Sequence, residues 1–229
     1  MSRSCHRAGF TLVEAVITVS LLVLLTSSAV LAARGVMGAF RAAQDSTDVE
    51  TRVRRALDRV VFELLSASRT QFDPVYADLG NDFGTHQLQF AKPQSWPLPA
   101  LNFAVDEDEP EYGQPLYGPP SSIGFEYATG ELNDDIDNDG NGLVDDGVLV
   151  LTRDVGGADQ RTILCRGVRE MLEGETANGA DDNGNGVTDE RGFNVHRVDD
   201  ALFVRLSMEE PGENGTIVRT LETCVRLRN

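Results

Sequence analysis

Apolar positions fall along this chain in three regimes. The first is a run from Phe10 to Ala33, 24 residues with a single charge, Glu14. A helix rises about 1.5 Å per residue, so this run is long enough to cross the ~30 Å hydrocarbon core of a bilayer. Arg34 marks the exit, and the helix is expected to continue. Gly35 and Gly38 predict a flexible joint there, since each weakens a helix by up to about 1 kcal/mol relative to alanine. In the second regime Val49, Val53, Ala56, Leu57, Val60, Leu64 and Ala67 recur at steps of three and four. That spacing is one apolar stripe on a helix of period 3.6, and Arg52, Arg54, Arg55, Asp58, Arg59 and Glu63 fill the other faces. The stripe predicts a packing face that the rest of the chain must cover. The helix is expected to end near Ser68-Arg69, because Pro74 follows.

The third regime is β. Between 70 and 122, Pro93, Pro97, Pro99, Pro110, Pro115, Pro119 and Pro120 exclude long helices. Short strands are expected at Thr85-Phe90 and Ser122-Tyr127, with Trp96 and its Pro and Leu neighbours as a plug over the sheet and Asp106-Glu109 as a solvated loop. Val148-Thr152 and Arg161-Cys165 flank Gly156-Gly157 and read as a hairpin. Leu202, Val204, Leu206 and Met208 alternate with Phe203, Arg205 and Ser207. After a turn at Pro211-Gly215, Leu221, Val225 and Leu227 share one parity, which makes a second hairpin. The predicted fold class is α+β: a long N-terminal transmembrane-to-amphipathic helix packed on an antiparallel β-sheet head, with loop inserts. One sheet face meets the helix and the other meets water.

Charge narrows the function. With 37 acids against 20 bases the net charge is −17, and a nucleic-acid partner is not expected, because phosphate binding needs clustered Lys and Arg. Lys92 is the sole lysine. The acids concentrate in two glycine-rich loops. In Asn133 to Gly147, counting Asp135 as position one puts Asp137 at three, Asp139 at five, Gly140 at six, Asn141 at seven and Asp146 at twelve. That is the ligand order of an EF-hand or dockerin-type calcium loop. Calcium wants six to eight oxygens at about 2.3–2.6 Å, and alternate side chains of a tight loop supply them. Asp146 replaces the usual bidentate Glu, and Asp145 competes for that role. The bland alternative is an acidic disordered turn, in which six aspartates between 134 and 146 repel one another.

The second loop, from Asn178, aligns on Gly-Asn-Gly with Asp181 at three, Asn183 at five, Asn185 at seven and Glu190 at twelve. Its position one is Gly179, which has no ligand; Asn178, Asp182 or a water is the substitute. The central glycines are 44 residues apart, no longer repeat is apparent around them, and either two sites or one shared site is open. Structural calcium is the expected cofactor.

No Gly-x-Ser-x-Gly, phosphate loop or His-Glu-x-x-His occurs. His86 and His196 stand far apart without metal-spaced neighbours. Carboxylates are too numerous for an acid pair to be a signal of hydrolysis. The expectation is a protein that is not an enzyme.

Residues Arg7-Ala8-Gly9, then Phe10-Thr11-Leu12-Val13-Glu14-Ala15-Val16, resemble the signature of the type IV pilin and pseudopilin family: a short basic leader ending in Gly, then Phe-Thr-Leu-apolar-Glu, then an unbroken apolar helix. An ordinary cleaved signal peptide fits less well, because the run is too long and contains Glu14. The match covers about the first quarter of the chain. The resemblance implies cleavage between Gly9 and Phe10 by a prepilin peptidase and N-methylation of Phe10. It also implies that Glu14 is the fifth residue of the mature protein. In an assembling filament Glu14 of one subunit can neutralise the new amine of its neighbour, and a buried charge left unpaired costs about 3–5 kcal/mol.

The implied layout is a leader at 1–9, a transmembrane half-helix at 10–33, an amphipathic half at 34–69 and a head at 70–229 with acidic loops at 133–147 and 178–192. Partners would be other pilin or pseudopilin subunits, the peptidase and the inner membrane, with the head in the periplasm or on an extracellular filament. Arg3 and Arg7 keep the leader cytoplasmic. The Arg-rich helix followed by Phe62-Glu63-Leu64-Leu65 and the terminal Thr-Cys-Val-Arg-Leu-Arg-Asn are similar, more weakly, to large minor members of the J-type pseudopilin or W-type minor pilin kind. The alternative from another class is a membrane-anchored calcium-dependent adhesin that never polymerises; an anchored hydrolase is a third.

There are three cysteines. Cys5 would leave with the leader. Cys165 and Cys224 would sit in an oxidising compartment, which predicts one disulfide; two separate thiols are the alternative, and the parity of Cys224, opposite to Leu221 and Val225, favours it unless Cys165 also faces outward.

Overall fold

Thr11 starts the long helix. Its Oγ1 accepts the Glu14 amide hydrogen at 3.2 Å, an N-cap contact. Helix α1 then runs from Leu12 to Leu65, 54 residues. In this computed structural model residues 11–95, 100–212 and 215–227 are described; Gly9, Phe10, the leader and the Trp96 plug lie outside them. The chain divides at Gln44/Asp45 into two units.

In the first unit the apolar side chains from Leu12 to Phe40 are exposed. The hydroxyls of Thr18, Ser20 and Thr26 donate to the carbonyls of Glu14, Val16 and Leu22 at 2.7, 2.8 and 2.9 Å. Polar groups satisfied inside the helix suit a segment surrounded by lipid. Among the described residues α1 is the one helix long and apolar enough to cross a membrane. It passes through Gly35 and Gly38 without a break, so the expected joint is not an interruption of helical geometry.

In the second unit the predicted stripe is buried throughout: Val49, Val53, Ala56, Leu57, Val60, Leu64 and Ala67 all enter the core. Each fully buried Val or Leu contributes about 1.5–3 kcal/mol, so the stripe fixes the helix on the sheet. The helix stops at Leu65 rather than at Ser68-Arg69. Ser66 turns its hydroxyl back to the Glu63 carbonyl at 3.1 Å, Ala67 N–H bonds the Leu64 carbonyl at 2.9 Å, and a 3-10 turn follows at Arg69–Gln71.

Among the described residues eight strands build the sheet: β1 Phe72–Asp73, β2 Gln87–Phe90, β3 Ser121–Tyr127, β4 Gly147–Arg153, β5 Gln160–Val168, β6 Phe193–Val198, β7 Ala201–Gly212 and β8 Gly215–Val225. All pairings are antiparallel. The order is β1-β2-β3-β4-β5-β7-β6, with β8 also on β7. β6 lies beside the first half of β7 and β5 touches it at Met208, while β8 runs along its whole length. Thr85 and Val195 exchange backbone hydrogen bonds at 2.9 and 2.7 Å, which curls the sheet so that the approach to β2 meets β6.

Both expected hairpins form. β1 and β6 were not anticipated, and Thr85 serves as a bridge rather than a strand residue. The helix-facing side of the sheet supplies Phe90, Ile123, Leu149, Leu151, Phe193, Val204, Leu206 and Val225. Asp106 to Glu109 are exposed, as expected of a solvated loop.

Candidate functional site

Both acidic loops leave the same end of the sheet. Tyr127, Gly147 and Val168 are neighbours across β3, β4 and β5; the first loop joins β3 to β4 and the second joins β5 to β6. Glu170 ties them together. Its Oε1 accepts from Tyr127 Oη at 2.9 Å, Asn133 Nδ2 at 2.9 Å and Arg191 Nη1 at 2.6 Å. A cleft of about 610 Å³ lies between the loops, with Asn133, Asp135 and Asp145 on one side and Glu175, Thr176 and Arg191 on the other.

Within the first loop the chain winds around its own carboxylates. Asp137 Oδ1 accepts the amide hydrogens of Gly140 and Asn141 at 2.7 and 3.2 Å, and its Oδ2 accepts that of Gly142 at 2.9 Å. Asp139 accepts from Asn141 N–H at 2.9 Å, and Asn141 from Leu143 N–H at 2.8 Å. The second loop repeats this bond for bond. Asp181 accepts from Gly184, Asn185 and Gly186 at 2.7, 3.1 and 2.8 Å. Asn183 accepts from Asn185 at 3.0 Å and Asn185 from Val187 at 2.9 Å.

The equivalence extends beyond the glycines. Asp145 receives the amides of Asp134 and Asp135 at 3.2 and 2.9 Å; Asp189 receives those of Asn178 and Gly179, each at 3.0 Å. Glu131 receives the amides of Asn138 and Asp139 at 2.9 and 2.7 Å, and Glu175 that of Asn183 at 3.0 Å. Glu131 to Asp146 and Glu175 to Glu190 are therefore one structural unit occurring twice, 44 positions apart, a longer repeat than the sequence reading recognised. Leu143 and Val187 anchor the two copies in buried positions.

This geometry explains Gly179. Asp135 and Gly179 occupy the same corner with positive φ, 59° and 80°, where glycine is at ease. The corner residue's backbone faces Asp145 or Asp189. Counted from the hydrogen bonds, each loop reads Asp-x-Asp/Asn-x-Asn-Gly from Asp137 or Asp181, the opening of a calcium loop, two residues later than the sequence count from Asp135.

Three carboxylates converge in the first unit: one oxygen each from Glu131, Asp139 and Asp146 lie within 4.8 Å of one another. The structure thus brings together two of the expected ligands, Asp139 and Asp146, with Asn141 donating its Nδ2 to both at 3.2 and 2.9 Å. It adds Glu131, which lies before the loop and went unnoticed; the signal was the matching Glu 44 positions on. Burial pushes the Asp146 carboxyl upward, opposed by the Asn141 hydrogen bond and reinforced by the charges of Asp139, Glu131 and Asp137. Such crowding of negative groups suits a hard cation with all-oxygen ligands.

The second unit differs in charge. Asn183 stands where Asp139 does, and Glu190 where Asp146 does. Glu190 is fully buried and pairs with Arg205, while Asn185 donates to its other oxygen. Arg205 continues to Glu222 at 2.6 Å. Burial raises the Glu175 carboxyl, and Glu190, Asp181 and Asp182 add to it. The three converging carboxylates all belong to the first unit, while Asp135 and Asp145 of the first loop and Glu175 of the second line the cleft between them.

The expected disulfide is absent: Cys165 and Cys224 are both free. Cys165 pairs across to Leu149 and belongs to the core under α1. Cys224 is exposed, and its neighbour Val225 is the residue that turns inward. The two thiols therefore point to opposite faces of the sheet, which no bridge can span without moving the backbone. Burial pushes the Cys165 thiol up to about 12.

Comparison with known protein families finds no match, and neither do comparisons with curated proteins and with solved structures.

Proposed function

We propose that this chain is a non-catalytic minor pilin or pseudopilin, a subunit of a type IV pilus or type II secretion pseudopilus. The carrying observation is the division of labour along α1: a first part apolar and exposed over its length, and a second part bearing the antiparallel head. A peptidase cuts between Gly9 and Phe10, Phe10 is N-methylated, and the inner membrane stores the subunit with its head outside the cytoplasm. Glu14 is exposed on the apolar segment. A carboxylate in lipid needs a partner, and the amine of Phe10 on an adjacent subunit supplies one. The two loops hold calcium in a structural role, in keeping with extracellular modules that bind at roughly 10⁻⁴–10⁻³ M.

Mass spectrometry of the mature N-terminus tests the reading directly. A methylated Phe10 is the expected result, and a chain that keeps its first nine residues refutes it. Glu14→Ala is expected to abolish incorporation into filaments while leaving the head folded. For calcium, the full-length protein in detergent is expected to melt higher with calcium than with chelator; no difference removes the metal from the proposal.

A further inference from the structure

Glu131 presents a physical problem that its own hydrogen bonds do not solve. The side chain is buried, with 6 % of its surface exposed. Its Oε1 is occupied by the amides of Asn138 and Asp139, but its Oε2 is buried without any hydrogen-bond partner. It faces Asp139 and Asp146, two more carboxylates. Among the described residues no Lys or Arg ion pair reaches any of the three. Burying a carboxylate without a partner is unfavourable, and two like neighbours make it more so. The second copy shows the same orphan: Glu175, 5 % exposed, has its Oε2 buried and unpartnered.

We propose that Glu131 is a direct ligand of a divalent cation of the calcium class, and that it closes the first site from ahead of the loop, together with Asp139 and Asp146. This rests on the reading of the loops as calcium sites and changes which residues hold the ion. A calcium loop beginning at Asp137 has its twelfth position at Val148, which offers no side-chain oxygen. The missing carboxylate is supplied from both sides in sequence, by Asp146 behind and Glu131 in front. Distances agree: ligand oxygens at about 2.3–2.6 Å from one ion lie at most about 5 Å apart, and these three lie within 4.8 Å. Asp135, by contrast, sits at the outer corner, where its amide is held by Asp145.

Calorimetric titration of the full-length protein in detergent with calcium alone tests this. Glu131→Gln keeps the oxygen that receives the two amides but loses the charge; it is expected to weaken binding at the first site at least tenfold. Asp135→Asn is expected to change it less than twofold. Melting gives a second reading. Glu131→Gln should raise the melting temperature in chelator, because repulsion is relieved, and lower it in calcium, because a ligand is lost. Should that variant fold poorly, Glu131→Asp retains the charge, withdraws it by one methylene, and should still bind more weakly. Wild-type binding in Glu131→Gln, or a tenfold loss in Asp135→Asn with Glu131→Gln unaffected, overturns the assignment and leaves the calcium reading standing. No calcium binding by the wild type removes both.

Discussion

Glu63 on α1 accepts a hydrogen bond from Arg153 at the end of β4, 2.7 Å away and 90 positions later in sequence. The Glu63 side chain is only 2 % exposed, and Lys92 binds its other oxygen. Arg59, one helical turn back, reaches the same carboxylate at 2.9 Å. Here the polar face of the helix is clamped to the sheet just where the apolar stripe ends. The three cations keep contact with water while the carboxylate does not, so the cost of breaking the cluster depends on which side is removed. Lys92→Met with Arg153→Met strands the buried charge with Arg59 alone, and should cost about 3–5 kcal/mol. Glu63→Gln releases cations that can rehydrate, and should cost about 1–2 kcal/mol. Chemical unfolding of both variants in detergent checks the order; equal losses would mean that Glu63 is not truly desolvated.

The same cluster sets a pH dependence. Burial pushes the Glu63 carboxyl upward, but the hydrogen bonds and charges of Lys92 and Arg153 outweigh it, and the net shift is downward from 4.5. A carboxyl depressed in the folded state stabilises above its unfolded value and loses that contribution as pH falls through the folded one. The stability gap between wild type and Glu63→Gln should therefore be constant above about pH 5 and shrink below pH 4.5. A gap that widens on acidification would reverse the sign of the interaction.

Much of this arrangement was legible in the sequence because single-element periodicities survive folding. The stripe from Val49 to Ala67 needed only the helical repeat, and the β4–β5 and β7–β8 hairpins needed only alternation around a turn. What was not legible depends on distant partners. β1 has two residues and exists because Phe72 and Asp73 find Phe90 and Gln89. β6 follows Gly192 and leads into a tight turn at Asp199-Asp200, where Asp199 takes a positive φ of 52°; its interior His196 and Arg197 interrupt the apolar alternation, so the strand shows itself only through its pairing with β7. The acidic loops were visible as composition, but the register was counted from Asp135, since a line of aspartates offers several starting points. The amides gathered by Asp137 and Asp181 show which carboxylates the chain winds around, and that depends on the folded backbone. Glu131 was hidden because its role comes from chain curvature, not spacing within the loop.

Two thiols on opposite faces of one sheet should behave differently. Cys224 is exposed and should react with maleimide in the native protein, whereas Cys165, buried and with its thiol pushed up to about 12, should react only after unfolding. Mass spectrometry of protein labelled before and after denaturation should find one and then two adducts on the mature chain. Reductant should leave the melting temperature unchanged. A two-dalton deficit with no labelling after unfolding would establish a disulfide and contradict the sheet geometry.

Arg205 separates the two copies of the loop unit. In the second copy it pairs with the fully buried Glu190, whose other oxygen receives the Asn185 amide. An ion entering there must share Glu190 with a fixed positive charge. Arg205→Met should thus lower stability in chelator by about 3–5 kcal/mol, because Glu190 is left buried with amides only. It should also make the second loop take calcium more tightly, so that saturating calcium restores a large part of that loss. The other partner of Arg205, Glu222, lies at the surface, and Glu222→Gln should cost no more than about 1 kcal/mol in either condition. Paired melts with calcium and chelator read the difference. If Arg205→Met loses the same stability in both, the second loop accepts no ion even with its competing charge removed, and Arg205 is its permanent counter-charge.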